Sequence, residues 1–123
     1  MTFKLVPKQS TEEIIVTPKE LVREVDGAYK TGDVEIISKN VGEIIEFVEN
    51  AIKDFHSIVR MNANGGIRLL RLVKKNADKG IIGENDHEGF LYAVTFISKK
   101  ILLPNLKKTN PQAVKDAGFW DIE

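Results

Sequence analysis

Two histidines, three evenly spaced glutamates and a run of lysines and arginines are the side chains of this 123-residue sequence that could do chemistry. His56 falls off the apolar stripe of the segment that holds it. His87 stands in Asn85-Asp86-His87-Glu88, where a helix is expected to start. Polar and acidic residues gather at helix starts for capping and dipole reasons alone, so both rings read as solvated or half-buried side chains. The chain has no cysteine and no HxxE or HExxH spacing, so no metal site is expected. Glu43, Glu46 and Glu49 recur every three residues, a spacing that can hold Mg²⁺ only with a second acidic pair on a facing helix. Residues 89–115 contain no acid, so the three read as a solvated face. Gly80-Ile81-Ile82-Gly83 lacks both the Lys-Ser/Thr of a phosphate loop and the third glycine of a dinucleotide fingerprint. Ser10, Ser38, Ser57 and Ser98 stand in no nucleophile-elbow context. We expect no enzymatic activity and no cofactor.

The basic residues give a stronger signal. Charge is balanced overall at 18 against 18, yet residues 1–59 carry seven Lys/Arg and eleven Asp/Glu, and residues 60–123 carry eleven and seven. Residues 60–79 hold Arg60, Arg68, Arg71, Lys74, Lys75 and Lys79 against Asp78 alone. Arg60, Arg68, Arg71, Lys74 and Lys75 are therefore candidate contacts to an anion or a nucleic-acid backbone. Aromatic residues do not interleave with them, so no stacking platform for single strands is expected. A near-neutral chain also lacks the global field of a strong polyanion binder.

These residues must be positioned by helices. Thr17-Pro18-Lys19-Glu20 is a capping box with proline at the first helical position. Leu21, Val22, Val25, Ala28 and Tyr29 follow at helical spacing, and Gly32 is a natural stop. Val34, Ile37, Val41, Ile44, Val48, Ala51, Phe55 and Ile58 then alternate at intervals of three and four without a slip, flanked by Ile45, Ile52 and Val59. The stripe predicts one helix from Asp33 to about Met61. The alternative is a strand over Val34–Ser38 with a helix starting at Asn40, which has Glu43 three residues on; Gly42 favours it by about 1 kcal/mol. An unbroken 29-residue helix would be about 44 Å long, against a diameter near 35 Å for a domain of this size, roughly. Its outer end would then overhang, which makes Val34, Ile37 and Val41 a candidate interaction surface, with a homodimer as one occupant.

Asn62-Ala63-Asn64-Gly65-Gly66 reads as a turn. Ile67, Leu70, Val73 and Ala77 predict a third helix ending at Gly80. Asn85 and Glu88 form another capping box, ahead of a fourth helix through Phe90, Leu91, Val94, Ile97, Ile101 and Leu102 that Pro104 stops. Asn110-Pro111 opens a last short helix through Ala117, and Phe119 and Trp120 are expected to dock on the core. At the other end, Thr2-Phe3-Lys4-Leu5 and Ile14-Ile15-Val16 flank a turn and suggest a hairpin over residues 1–16. A short hairpin, a capped helix and then the acidic Glu43-Ile44-Ile45-Glu46-Phe47-Val48 resemble the layout of small tail-assembly chaperones of phages over about the first 55 residues. That resemblance implies an assembly role. It ends at Met61–Gly66, and the basic third helix has no counterpart in it.

With 42% hydrophobic and 29% charged residues in 13.8 kDa, the chain is long enough for one core and too apolar for disorder. No apolar run approaches the length of a membrane span or a signal peptide. The expected architecture is mainly α: a single-domain bundle of about four helices with a short N-terminal β element. The expected function is that of a small soluble, cytoplasmic, non-enzymatic protein acting by protein–protein interaction in a regulatory, adaptor or assembly role. The alternative is a nucleic-acid-binding module using residues 60–79.

Overall fold

Apolar residues at helical spacing fold into four α-helices: α1 (Pro18–Thr31), α2 (Val34–Ile52), α3 (Ser57–Asp78) and α4 (Asp86–Phe96). The last runs on into a π-helical turn, Ile97–Leu102. The computed structural model describes residues 18–105, and no strand occurs among them. The expected hairpin, the Thr17 cap, the last short helix, Phe119 and Trp120 lie outside the described residues. α2 packs against both α1 and α3, α3 packs against α4, and α1 touches α4 along a narrower strip. Val25, Ile37, Ile44, Leu70, Phe90 and Leu102 meet fully buried in the core between them. Each such side chain contributes about 1.5–3 kcal/mol by leaving water.

Gly32 and Gly80 end α1 and α3 as the sequence predicts. Both adopt positive φ, +78° and +74°, a conformation that glycine enters without a Cβ penalty. The chain then folds back: Asp33 N–H donates to the Ala28 carbonyl at 2.9 Å, and Ile81 N–H to the Asn76 carbonyl at 2.9 Å. This is the Schellman arrangement, which satisfies carbonyls at a helix end. Asp33 at once starts α2, its carboxylate accepting from Ile36 N–H at 3.2 Å.

The long stripe is not one helix. It begins at Val34, so the strand over Val34–Ser38 does not form, and Asn40 sits inside α2, buried, donating to Glu24 Oε1 at 2.6 Å. α2 then stops at Ile52 and α3 starts at Ser57, with residues 53–56 forming the turn. Phe55 N–H bonds back to the Ile52 carbonyl, three residues away. His56 leaves the helical region at φ −54° and ψ 146°, and its Nδ1 accepts from Ile58 N–H at 3.1 Å as the cap of α3. Arg60 reaches back from α3, donating through Nη1 to the Phe55 carbonyl at 2.7 Å.

The expected turn at residues 62–66 lies in the middle of α3 instead. Gly66 is buried there, and a Cβ on it would stand 2.8 Å from Ile97 Cγ1. The helical cost of this glycine, about 1 kcal/mol, is offset by the close approach of α3 to the π-helical turn.

Phe55, expected at the centre of a helical core face, is half-buried in the turn and packs against the core from its edge. Phe55→Ala should accordingly cost about 1–2 kcal/mol, well below the roughly 3–5 kcal/mol of a fully buried ring. Urea titration of the variant checks the difference.

Asn85 precedes α4 but makes no side-chain cap bond. The neighbouring Asp86 carboxylate is used instead: Oδ2 accepts from Gly83 N–H at 2.8 Å and from Asn76 Nδ2 at 3.0 Å, tying the link to the end of α3. Pro104 does not stop the fourth helix, since helical backbone continues to Asn105. A proline offers no N–H to the carbonyl four residues back. Here the register has already widened: Leu103 N–H donates to the Ser98 carbonyl, and Asn105 Nδ2 donates to the Ile101 carbonyl at 2.7 Å.

Candidate interaction face on the second and third helices

α2 carries Glu35, Glu43, Glu46 and Glu49 against Lys39 alone, and α3 carries five Lys/Arg against Asp78 alone. The two helices are joined by a short turn and run antiparallel. Ser38 donates to Asp78, Lys74 lies over Gly42, and Arg71 pairs with Glu49. The seam between them is a shallow open groove. One stretch of about 350 Å³ is lined by Gly42, Ile45, Arg71, Lys74, Lys75 and Asp78.

The five candidate anion contacts do not form one cluster of unpaired bases. Arg60 is spent on backbone carbonyls at the end of α2. Arg71 is paired with Glu49, and Lys74 with Asp78 at 3.1 Å. The Ser38 hydroxyl, then Lys74, hold the Asp78 carboxyl below its ordinary range. Arg68 and Lys75 remain exposed and without an ion-pair partner among the described residues. On α2, Glu35 and Glu46 are exposed and likewise unpaired.

Helical spacing sets Ile58, Met61, Gly65 and Leu72 within an arc of about 60° on α3, with Arg68 and Lys75 beside them. Ile58, Met61 and Leu72 are 58%, 65% and 52% exposed. On α2, Ile36 is 40% exposed, on the flank away from α3. The sequence-derived interaction surface sits elsewhere: Ile37 and Val41 are fully buried in the core of the chain itself, and Val34 is half-buried beside it. The sequence does not single out Ile36, Met61 and Leu72 as exposed. Their only signal was negative, since they fall off the apolar stripes of their helices.

The two histidines are not near each other's elements of use. His56 caps α3, while His87 Nε2 lies 2.7 Å from Asp26 Oδ1 and joins α4 to α1. The His87 ring stacks on Tyr29, with centroids 4.7 Å apart and planes 16° from parallel. Its hydrogen bond, the largest cause, and Lys30 hold the Asp26 carboxyl below the usual range, against a smaller upward push from burial. Burial, and then the Asp86 charge, push the Tyr29 phenol up, so it is neutral at any physiological pH. Its hydroxyl is buried and has no hydrogen-bond partner among the described residues. Tyr29→Phe removes that unpaired group and keeps the ring, so stability should stay within error or rise by up to about 1 kcal/mol. Thermal denaturation of the variant reads this directly.

Among the described residues no group of three or more His, Asp or Glu is placed to hold a metal ion. No described helix is long and apolar enough to cross a membrane. No family model, curated protein or solved structure matches the chain.

Proposed function

We propose that this chain is a non-enzymatic protein that works by docking another polypeptide on the outer side of α2 and α3. The observation that carries this is the exposed row of Ile58, Met61 and Leu72 on a helix face that also bears Arg68 and Lys75 and no acid. Scattered apolar residues on a surface need no explanation, but large ones aligned on one helix face mark contact sites. Unpaired bases beside them favour an acidic partner and repel a basic one. The nucleic-acid alternative is weaker on this geometry, because three of its five basic side chains already have partners inside the chain.

The test is a photo-crosslinking amino acid placed at Met61 or Leu72, with Arg23 on α1 as a control position. Polypeptide adducts of defined mass at the α3 positions, absent at Arg23 and lost in Arg68→Glu/Lys75→Glu, are the expected result. Retention on duplex DNA at about 50 mM salt that falls steeply as salt is raised, with no polypeptide adduct, would replace this function by the nucleic-acid one.

A further inference from the structure

We infer that the polypeptide docked on this side is a second copy of the same chain, related by a two-fold axis that runs along the groove between α2 and α3. This rests on the function proposed above and names its partner.

Across the outer surface, the layout has two halves. On one side of the groove, α2 presents Glu35 and Glu46, with Glu43 paired to Lys39 beside them, and beyond them Ile36. On the other side, α3 presents Lys75 and Arg68, and beyond them Met61 and Leu72. The charges in the groove itself are paired within the chain, Arg71 with Glu49 and Lys74 with Asp78. A two-fold axis along the groove exchanges the halves. It lays α2 of one copy on α3 of the other, antiparallel, so acids meet bases. An axis across the helices would instead set α2 on α2 and α3 on α3, acid on acid and base on base. Like charges facing each other at an interface are repulsive, so the charge pattern selects the first arrangement.

Closure also fixes the register. A two-fold axis admits no slide along itself, so the levels set inside one chain carry across to the mate. Ser38 is level with Asp78, and Gly42 with Lys74. Glu43 and Glu46 are therefore level with the stretch of α3 that carries Arg68 and Lys75. The formal net charge of the whole chain is zero at pH 7, so no long-range repulsion keeps two copies apart.

The area is adequate and modest. Two helices about 28 Å long and about 10 Å apart present roughly 560 Å² per copy, or about 1,100 Å² in the pair. That lies at the lower end of specific interfaces, among the weak and transient ones. A dissociation constant in the micromolar range is expected.

The experiment is sedimentation equilibrium on the wild-type chain and two charge-reversed variants, Glu43→Lys/Glu46→Lys and Arg68→Glu/Lys75→Glu. Wild type should dimerise. Each variant alone should associate at least tenfold more weakly, because reversal sets like charges together at both symmetric contacts. Mixed one to one, the two variants should form a heterodimer, since the reversed acids of one then face the reversed bases of the other, and the unreversed bases of the first face the unreversed acids of the second. Circular dichroism confirms that each variant is folded. As a second readout, spin labels on Glu46→Cys mixed with Lys75→Cys, in a chain without native cysteine, should report an inter-copy distance under about 20 Å, since helices packed in contact lie about 8–10 Å apart. A wild-type chain that stays monomeric at millimolar concentration overturns the inference, as does a mixture that fails to pair. Polypeptide adducts at Met61 in a chain that is monomeric would keep the wider function and discard the second copy. Loss of both adducts and dimer would discard the two together.

Discussion

Ile37→Lys is expected to unfold the protein at every concentration. Ile37 is fully buried in α2, between the core residues contributed by the neighbouring helices. Truncating such a side chain alone costs about 2–5 kcal/mol. Lysine adds a charge with no buried partner, and the interior must either desolvate it or open to water. The sum is comparable with the whole stability of a typical domain, roughly 5–15 kcal/mol. Far-ultraviolet circular dichroism and the loss of a cooperative urea transition check the outcome. The variant separates two uses of the same residue. An overhanging interaction surface would give a folded monomer, whereas a core position gives no folded chain at any dilution.

Phe90→Ala is the second large effect. Phe90 is the largest of the fully buried side chains among the described residues, and its ring lies 6.2 Å from that of Tyr29. It joins the start of α4 to α1, which meet along only a narrow strip. The expected loss is about 3–5 kcal/mol, with Tyr29 and His87 left stacked over a void. The urea midpoint should fall while the slope of the transition is unchanged. A loss under about 1 kcal/mol would mean that α4 closes over the gap, and the α1–α4 contact would then be far softer than its packing implies.

Much of the helix layout is legible in the sequence because it depends on neighbours along the chain. Gly32 and Gly80 mark their helix ends through a backbone conformation that only a local rule is needed to foresee. The break at residues 53–56 is different. Apolar spacing continues across it in perfect register, since the end of α2 and the start of α3 both turn apolar residues toward one core. Periodicity counts faces and does not see a fold-back that preserves them. Gly65-Gly66 misleads for the opposite reason. Glycine reads as a turn signal, while Gly66 serves a close approach to Ile97, some thirty residues away, that no local pattern encodes. The charge asymmetry of α2 and α3 was visible by counting. Which charges are used up was not, because Glu49 and Arg71 are brought together only by the antiparallel pairing of their helices.

That separation of charge has a consequence for handling the protein. The sequence pI is about 6.8, and a chain near its isoelectric point is expected to flow past ion-exchange media. An adsorbent bead, however, touches a molecule from one side at a time. An acidic flank on α2 and a basic flank on α3 give the molecule a transverse dipole, free to turn either pole toward a charged matrix. At neutral pH and low ionic strength, and at dilutions where the chain is monomeric, it should be retarded on anion and cation exchangers alike, each column holding the molecule by a different helix.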